Sequence, residues 1–271
     1  MVIKLKDADF SANNLGVITI DRELTADAVA VLSHYTKSLT KLKQLAVDDF
    51  IANLKSAGIW SKFSLLSIPV LAGTLNECFY DIISNTQVAP ASTSAYSLAT
   101  NGLKLNNTTT DPGLKLKSFA PATNTNFHVA SYQSATNIGY PTFVGSGSID
   151  PYFIIGSVGF KPGENTNYFL ATADPNSANL KGAKIGSIRG TTVNDVDVLY
   201  SGIPTVTRIS GGTGVSGAAG RNIASLQHIG YSNTNLSIIP FSLISLGTSL
   251  TLAQMQTYNT YLDALMDLLI V

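Results

Sequence analysis

The hydrophobic pattern changes period along the chain: helical near the start, strand-like through a long middle, helical again at the end. Helical spacing first appears over 26–35, an Ala/Val-rich run. Thr25 stands where it can cap the first free N–H groups, and Leu24 where it can staple onto Val29. The spacing recurs over 41–57, where Leu42, Leu45, Ala46, Phe50, Leu54 and Ala57 make one stripe. Lys41, Lys43, Asp48, Asp49 and Lys55 fall mainly off that stripe. Gly58 follows where a left-handed residue ends a helix, and Ile59 and Trp60 are expected to pack behind the stop. The final helix has the firmest local signal. Thr251 with Gln254 spells a capping box, Leu250 with Met255 a staple, and Met255, Tyr258, Leu262, Leu265 and Leu269 an apolar stripe. Such a helix is stable only with its stripe buried. It is therefore expected to dock on the sheet, on the first helices or on another subunit.

Ahead of the first helix, 2–5 and 16–20 alternate apolar and polar positions around an Asn13-Asn14 turn, which predicts two short strands. From residue 78 onward strand patterns follow one another. The candidates are 78–84, 126–133, 152–160, 168–172, 183–189, 196–200, 205–210, 223–231 and 237–246. Turn clusters separate them at Asp111-Pro112-Gly113, Lys161-Pro162-Gly163, Ala173-Asp174-Pro175-Asn176 and Gly202-Ile203-Pro204. No helical pattern intervenes, which excludes a parallel βαβ sheet and predicts a mainly β protein, an antiparallel β-sandwich or jelly roll. The expected organisation is an N-terminal segment of strands and assembly helices over 1–75, a sandwich over 76–250 and a C-terminal amphipathic helix over 251–271.

Composition narrows the function classes. Of the 271 residues 45% are hydrophobic, enough for a sizeable core, but only 13% are charged, roughly half of what an average soluble domain carries. Lys+Arg and Asp+Glu balance at 17 each, so there is no basic stripe for nucleic acid and no case for an anionic membrane surface. No apolar stretch is long enough for membrane insertion, and Lys4, Lys6, Asp7 and Asp9 break any signal-peptide run. Synthesis in a host cytoplasm, with no export signal, is the expectation. The single Cys78 beside Phe79 and Tyr80 can form neither an internal disulfide nor a cysteine zinc cluster, and reads as a small buried hydrophobe.

Candidate chemistry is sparse, and nothing implies a cofactor. Gly212-Thr213-Gly214-Val215-Ser216-Gly217 has the form of a dinucleotide loop, but no acid lies between Asp197 and Asp263 to hold a ribose, so it reads as a hairpin loop. His34, His128 and His228 share no metal-ligand spacing, and no nucleophile elbow stands in a strand–turn–helix context. A glycosidase needs two facing carboxyl groups. Glu164 lies in a Pro162-Gly163 turn, while Asp195 and Asp197 alternate toward one strand face. That pair has the chemistry for acid–base work, or for Ca²⁺ with Asn194, though a solvated strand face is the simpler reading. Tyr132, Tyr140, Phe143, Tyr152, Phe153, Tyr168 and Phe169 supply rings that stack in a core or on a sugar. Tyr140, Tyr152, Asp195 and Asp197 are the candidate glycan contacts.

Three segments carry a resemblance. Lys4-Leu5-Lys6-Asp7-Ala8-Asp9-Phe10-Ser11 with Asn13-Asn14-Leu15-Gly16 looks like the start of structural proteins from tailed bacteriophages of gut Bacteroidales, including crAss-like phages. Phe50 to Lys62, with its Ala57-Gly58-Ile59-Trp60-Ser61-Lys62 ending, resembles a second hallmark of that family, followed here by Ala72-Gly73-Thr74 in place of the usual Gly-Gly-Thr. Phe241-Ser242-Leu243-Ile244-Ser245-Leu246-Gly247, then Ser249-Leu250-Thr251, is similar to its last strand and closing helix. The resemblance covers about a third of the chain. It implies a concanavalin-like (laminin-G-like) jelly roll behind short helices, in a virion component that is tail-associated or fibre-like. No catalytic residue is implied. The implied partners are the chain itself, as a homo-oligomer such as a trimer, other virion proteins and host surface glycans. Val29, Leu32, Leu42, Leu45, Phe50, Leu54, Trp60, Met255, Tyr258 and Leu262 are then the expected assembly contacts. The competing reading is that these stripes only cover the open end of the sandwich. A carbohydrate-binding module for host attachment and a glycan-degrading enzyme using Glu164, Asp195 or Asp197 are the rival functions.

Overall fold

A computed structural model describes residues 22–87, 96–105, 127–134, 143–145, 152–155, 168–171, 182–188, 196–200, 203–209 and 240–270. Its first helix, α1 (Ala26–Leu32), is capped as expected, with the Thr25 hydroxyl accepting from the Ala28 N–H. It stops short of residue 35, and Tyr35 turns inward to meet the Tyr80 ring edge-on. Helix α2 (Lys41–Ser56) starts at a Thr40 cap. It ends in a paired-carbonyl stop: Gly58 N–H donates to Lys55 O and Ile59 N–H to Leu54 O, with Gly58 at φ +66°. Leu54 and Ile59 are both buried, the hydrophobic contact that accompanies this motif. Asp48, expected off the apolar stripe, is instead buried, because it is the anchor for Arg22 and Thr25.

The sheet begins earlier than the sequence pattern suggests. Strand β1 (Phe63–Ser67) lies inside the expected helical segment and pairs antiparallel with β13 (Phe241–Gly247), so the division at residue 75 does not separate two units. The reason is burial: Leu65, Leu66 and Ser67 are buried in succession, so the strand does not alternate, as in a strand covered on both faces. The strand expected over 78–84 is a 3₁₀ turn (Asn76–Phe79) followed by the short hairpin β2 (Tyr80–Asp81) and β3 (Thr86–Gln87). Strands β4 (Tyr96–Ala99) and β5 (Gly102–Leu105) form a further hairpin with no counterpart in the sequence reading.

Expected strands then appear: β6 (Phe127–Gln133), β8 (Tyr152–Ile155), β9 (Tyr168–Ala171), β10 (Gly182–Ile188), β11 (Val196–Tyr200), with the expected bounds, and β12 (Ile203–Ile209); residues 126, 156–160, 172, 189 and 210 of the expected strands lie outside the described residues. β7 (Phe143–Gly145) is additional. Ile203-Pro204, expected in a turn, opens β12; the strand lies at the sheet edge, where a residue without an N–H is tolerated. The main sheet runs β12-β11-β10-β6-β13-β5-β4, with β1 also on β13, and each of its pairings is antiparallel. A smaller sheet, β7-β8-β9, contains the parallel pair β8/β9, a departure from the all-antiparallel expectation. The fold is thus mainly antiparallel sheet with a few helices. The expected strands at 2–5, 16–20 and 223–231 lie outside the described residues, as does the 212–217 loop.

Helix α3 (Leu252–Leu269) docks on β10, β11 and β12 and beside α2. Its capping box closes both ways, Gln254 N–H to the Thr251 hydroxyl at 3.2 Å and Thr251 N–H to Gln254 Oε1 at 3.0 Å. Leu250 and Met255 are fully buried, and Tyr258, Leu262, Leu265 and Leu269 follow them into the core. The central strand β13 is buried at every position, since the sheet is covered on both of its sides there.

Candidate functional site

The chemistry-bearing residues of the sheet fall in one row. Register across β13, β6, β10, β11 and β12 aligns Gly247, His128, Ser187, Asp197 and Arg208. His128 and Ser187 are fully buried and Asp197 is 1% exposed. A Ser, a His and an Asp on three adjacent strands are the residue types of nucleophilic catalysis. Their connections are of another kind. The Ser187 hydroxyl donates to Leu250 O at 3.1 Å and accepts from Leu250 N–H at 2.9 Å. His128 Nδ1 lies 2.6 Å from Thr248 O; a carbonyl only accepts, so Nδ1 carries the proton. Nε2 is left as a bare, buried lone pair without a partner. Burial pushes the imidazole down to about 4, the Thr248 bond opposing and the Lys62 charge adding to the shift. Phe63 packs edge-on against the ring at 5.5 Å. Hydroxyl and imidazole are both spent on the 248–250 link that leads into α3, and Tyr258 fastens the helix to β13 by donating to the Ser245 hydroxyl at 2.9 Å.

Gly247 makes the row possible. A Cβ there would meet Lys62 O at 1.8 Å and His128 Cε1 at 2.8 Å, so only glycine lets β1 and the imidazole approach β13 together.

The ionisable groups outside the row are fasteners too. Asp48 accepts from Thr25 N–H (3.3 Å), Thr25 Oγ1 (2.5 Å) and Arg22 (3.1 Å), tying the start of α1 to α2. Asp81 is fully buried and accepts from Leu66 N–H (3.1 Å), Ile83 N–H (3.0 Å), Ser84 N–H (3.3 Å) and Ser84 Oγ (2.5 Å). Glu77 accepts from Gly73 N–H (2.7 Å), Thr36 N–H (3.0 Å) and Thr36 Oγ1 (2.8 Å). Its partial burial pushes the carboxyl up, but these donors outweigh it and hold the group below its ordinary value. Lys37 Nζ donates to Val70 O (2.8 Å) and Thr100 O (3.0 Å). Cys78 is buried as expected, and burial pushes its thiol up to about 12. Among the described residues no group of three His, Cys, Asp or Glu is placed to hold a metal ion, and no helix is long and apolar enough to cross a membrane.

The expected assembly contacts mostly close on the chain itself. Leu45, Phe50, Leu54, Met255, Tyr258 and Leu262 are buried in its own core, and Leu32 and Trp60 are half-buried against it. They are not available to a second subunit, because α2 and α3 pack on each other and α3 on the sheet. Val29 (52% exposed) and Leu42 (39% exposed) remain open. Of the candidate glycan contacts, Tyr140 and Asp195 lie outside the described residues. Asp197 is not the solvated or ligand-facing acid the alternation suggested; it belongs to the buried row under the approach to α3. Tyr152 opens β8 in register with Tyr168 of β9, followed by Phe153 with Phe169. His128 and Ser187 were not legible as neighbours, since nothing local reveals which strands pair. No local signal singled them out, since β6 also carries Ser131 and Gln133 and β10 also carries Lys184.

No protein-family model matches the chain, and no curated protein matches it. Among solved structures, the chain is similar to a mutant of Trypanosoma rangeli sialidase displaying trans-sialidase activity, with 14% identity and a TM-score of 0.45 over 82% of this chain and 39% of that one. It is also similar to Trypanosoma rangeli sialidase in complex with a difluoro-KDN, with 13% identity and a TM-score of 0.37 over 83% of this chain and 40% of that one. The chain thus spans about two fifths of the proteins it matches. Likeness at this level carries no argument about fold family or activity.

Proposed function

We propose that the chain is a non-catalytic structural protein of a tailed-phage virion, tail-associated or fibre-like, with a concanavalin-like jelly roll as its scaffold. The observation that supports a non-catalytic reading is the use of the buried polar groups. The Ser187 hydroxyl is saturated by the backbone of Leu250, and His128, Asp48 and Asp81 hold chain segments together. The resemblance of the chain's opening, its Ala57–Lys62 segment and its last strand to phage structural proteins supports the virion assignment. Assembly then rests on surface such as Val29 and Leu42, not on the buried stripes. The test is mass spectrometry of purified phage particles, with light scattering on the recombinant chain. Stoichiometric recovery from particles and a defined homo-oligomer are expected. A strictly monomeric chain absent from particles overturns the reading.

The register of Tyr152 with Tyr168 favours a second reading, a carbohydrate-binding module, because adjacent tyrosines on neighbouring strands are a means of stacking on a sugar. Binding on a host-glycan array, reduced at least tenfold by Tyr152→Ala, is the expected result; silence across host capsular glycans removes this reading.

A further inference from the structure

We infer that His128 is the proton-operated catch of helix α3: taking up a proton at Nε2 releases the 248–250 link and lets the helix leave the sheet. The geometry is specific to this side chain. Its Nδ1–H is committed to Thr248 O, just before the Thr251 cap, while Nε2 is buried without an acceptor. In the same register row, Ser187 holds Leu250 by both its N–H and its C=O. The link into α3 is therefore gripped by two neighbouring side chains, one of which titrates.

Apart from the Thr248 carbonyl, which favours the charged ring but is outweighed by burial, the surroundings offer an imidazolium no compensation. The turn before β1 brings Lys62, a like charge, and β1 itself brings the Phe63 ring. β13 brings Gly247, with no side chain, and β10 brings the hydroxyl of Ser187, already occupied by Leu250. α3 brings the Tyr258 hydroxyl, which is bound to Ser245. Asp197 of β11 stands beyond Ser187 in the row, roughly 10 Å away by two strand spacings, with Arg208 opposite it on the far side. A second proton on the ring is thus a buried charge facing a lysine, and the way to hydrate it is to lift the link and the helix it anchors.

The direction follows from linkage. An exposed imidazole titrates near 6.5 and the buried one is held down to about 4. The closed state is fully favoured above about 6.5, and the preference is lost progressively as pH falls toward about 4. Each pH unit in that window favours opening by at most about tenfold. Released, α3 exposes Met255, Tyr258, Leu262, Leu265 and Leu269 together with the sheet face they cover.

The experiment is hydrogen–deuterium exchange on the full chain at pH 6.5 and pH 4.5, corrected for intrinsic exchange, read on peptides from α3. The His128→Asn variant is measured in parallel, since its amide can keep a donor near Thr248 O but cannot titrate. Opening of α3 should increase about 40-fold in the natural chain over those two units and less than threefold in His128→Asn. Equal pH dependence in the two proteins, or unchanged α3 protection in the natural chain, overturns the inference. If His128→Asn does not fold at pH 7, the imidazole of the natural chain is followed by nitrogen NMR. A ring that gains its second proton only as α3 protection is lost supports the catch. A ring titrating near 6.5 with α3 still protected overturns it.

Discussion

Ser187 has the smallest polar side chain of the row, yet it carries two bonds at once. Its hydroxyl satisfies both the N–H and the C=O of Leu250, in a place where water has no access. Removing it leaves a donor and an acceptor buried without partners, each costing about 1–3 kcal/mol. Ser187→Ala is therefore expected to lower unfolding stability by about 2–5 kcal/mol in urea titrations. A loss under about 1 kcal/mol would mean that Leu250 finds other partners. Gly247, on the far side of His128 in the same row, tolerates no such choice, since any Cβ collides with the Lys62 carbonyl. Residue identity at these two positions is dictated by neighbours distant in the chain, and nothing in the local sequence pattern announces it.

At the level of elements, the helices were legible and the strands only in part. Thr251, Gln254, Leu250 and Met255 define the start of α3 within a few residues of chain, and the structure places all four in those roles. The Gly58 stop is equally local, one left-handed residue and two backbone bonds. Two variants separate the cap from the stripe. Thr251→Ala is expected to cost about 1 kcal/mol, the worth of an exposed N-cap. Leu262→Ala, which empties a fully buried site between α3 and its neighbours, is expected to cost about 2–5 kcal/mol. Thermal melts of the two proteins check the ratio; equal losses would contradict the docking of α3. β13 was expected, over 237–246, but β1 was not, because it is covered on both sides and continuous burial erases the alternation that marks a half-buried strand. The apolar run Cys78-Phe79-Tyr80, which passes from a 3₁₀ turn into the short β2, imitates one longer strand.

Across the whole molecule, the helices and the sheet share one core. β1 hydrogen-bonds to β13 from the opposite end of the chain, Asp81 ties β1 to the hairpin beyond it, and Lys43 Nζ reaches Leu269 O at 3.2 Å. These contacts cross the expected boundary at residue 75. A fragment covering 76–271 is therefore expected not to fold, since it lacks β1 and leaves the face of α3 that meets α2 open to water. Circular dichroism should give no cooperative melt for the fragment and a single one for the full chain. A fragment with a native-like melt would restore the division.

By itself the sequence determined the three helices, their caps and stops, the β-rich middle and the burial of Cys78. Those features depend on residues a few positions apart, where capping, helical period and side-chain size act directly. Tertiary structure alone decided which strands pair, that the apolar stripes close on the chain's own core, and that His128, Ser187 and Asp197 stand in one buried row. Pairing and burial are properties of segments brought together from far along the chain, and a polar residue carries no mark of whether water or a backbone carbonyl will be its partner until that happens.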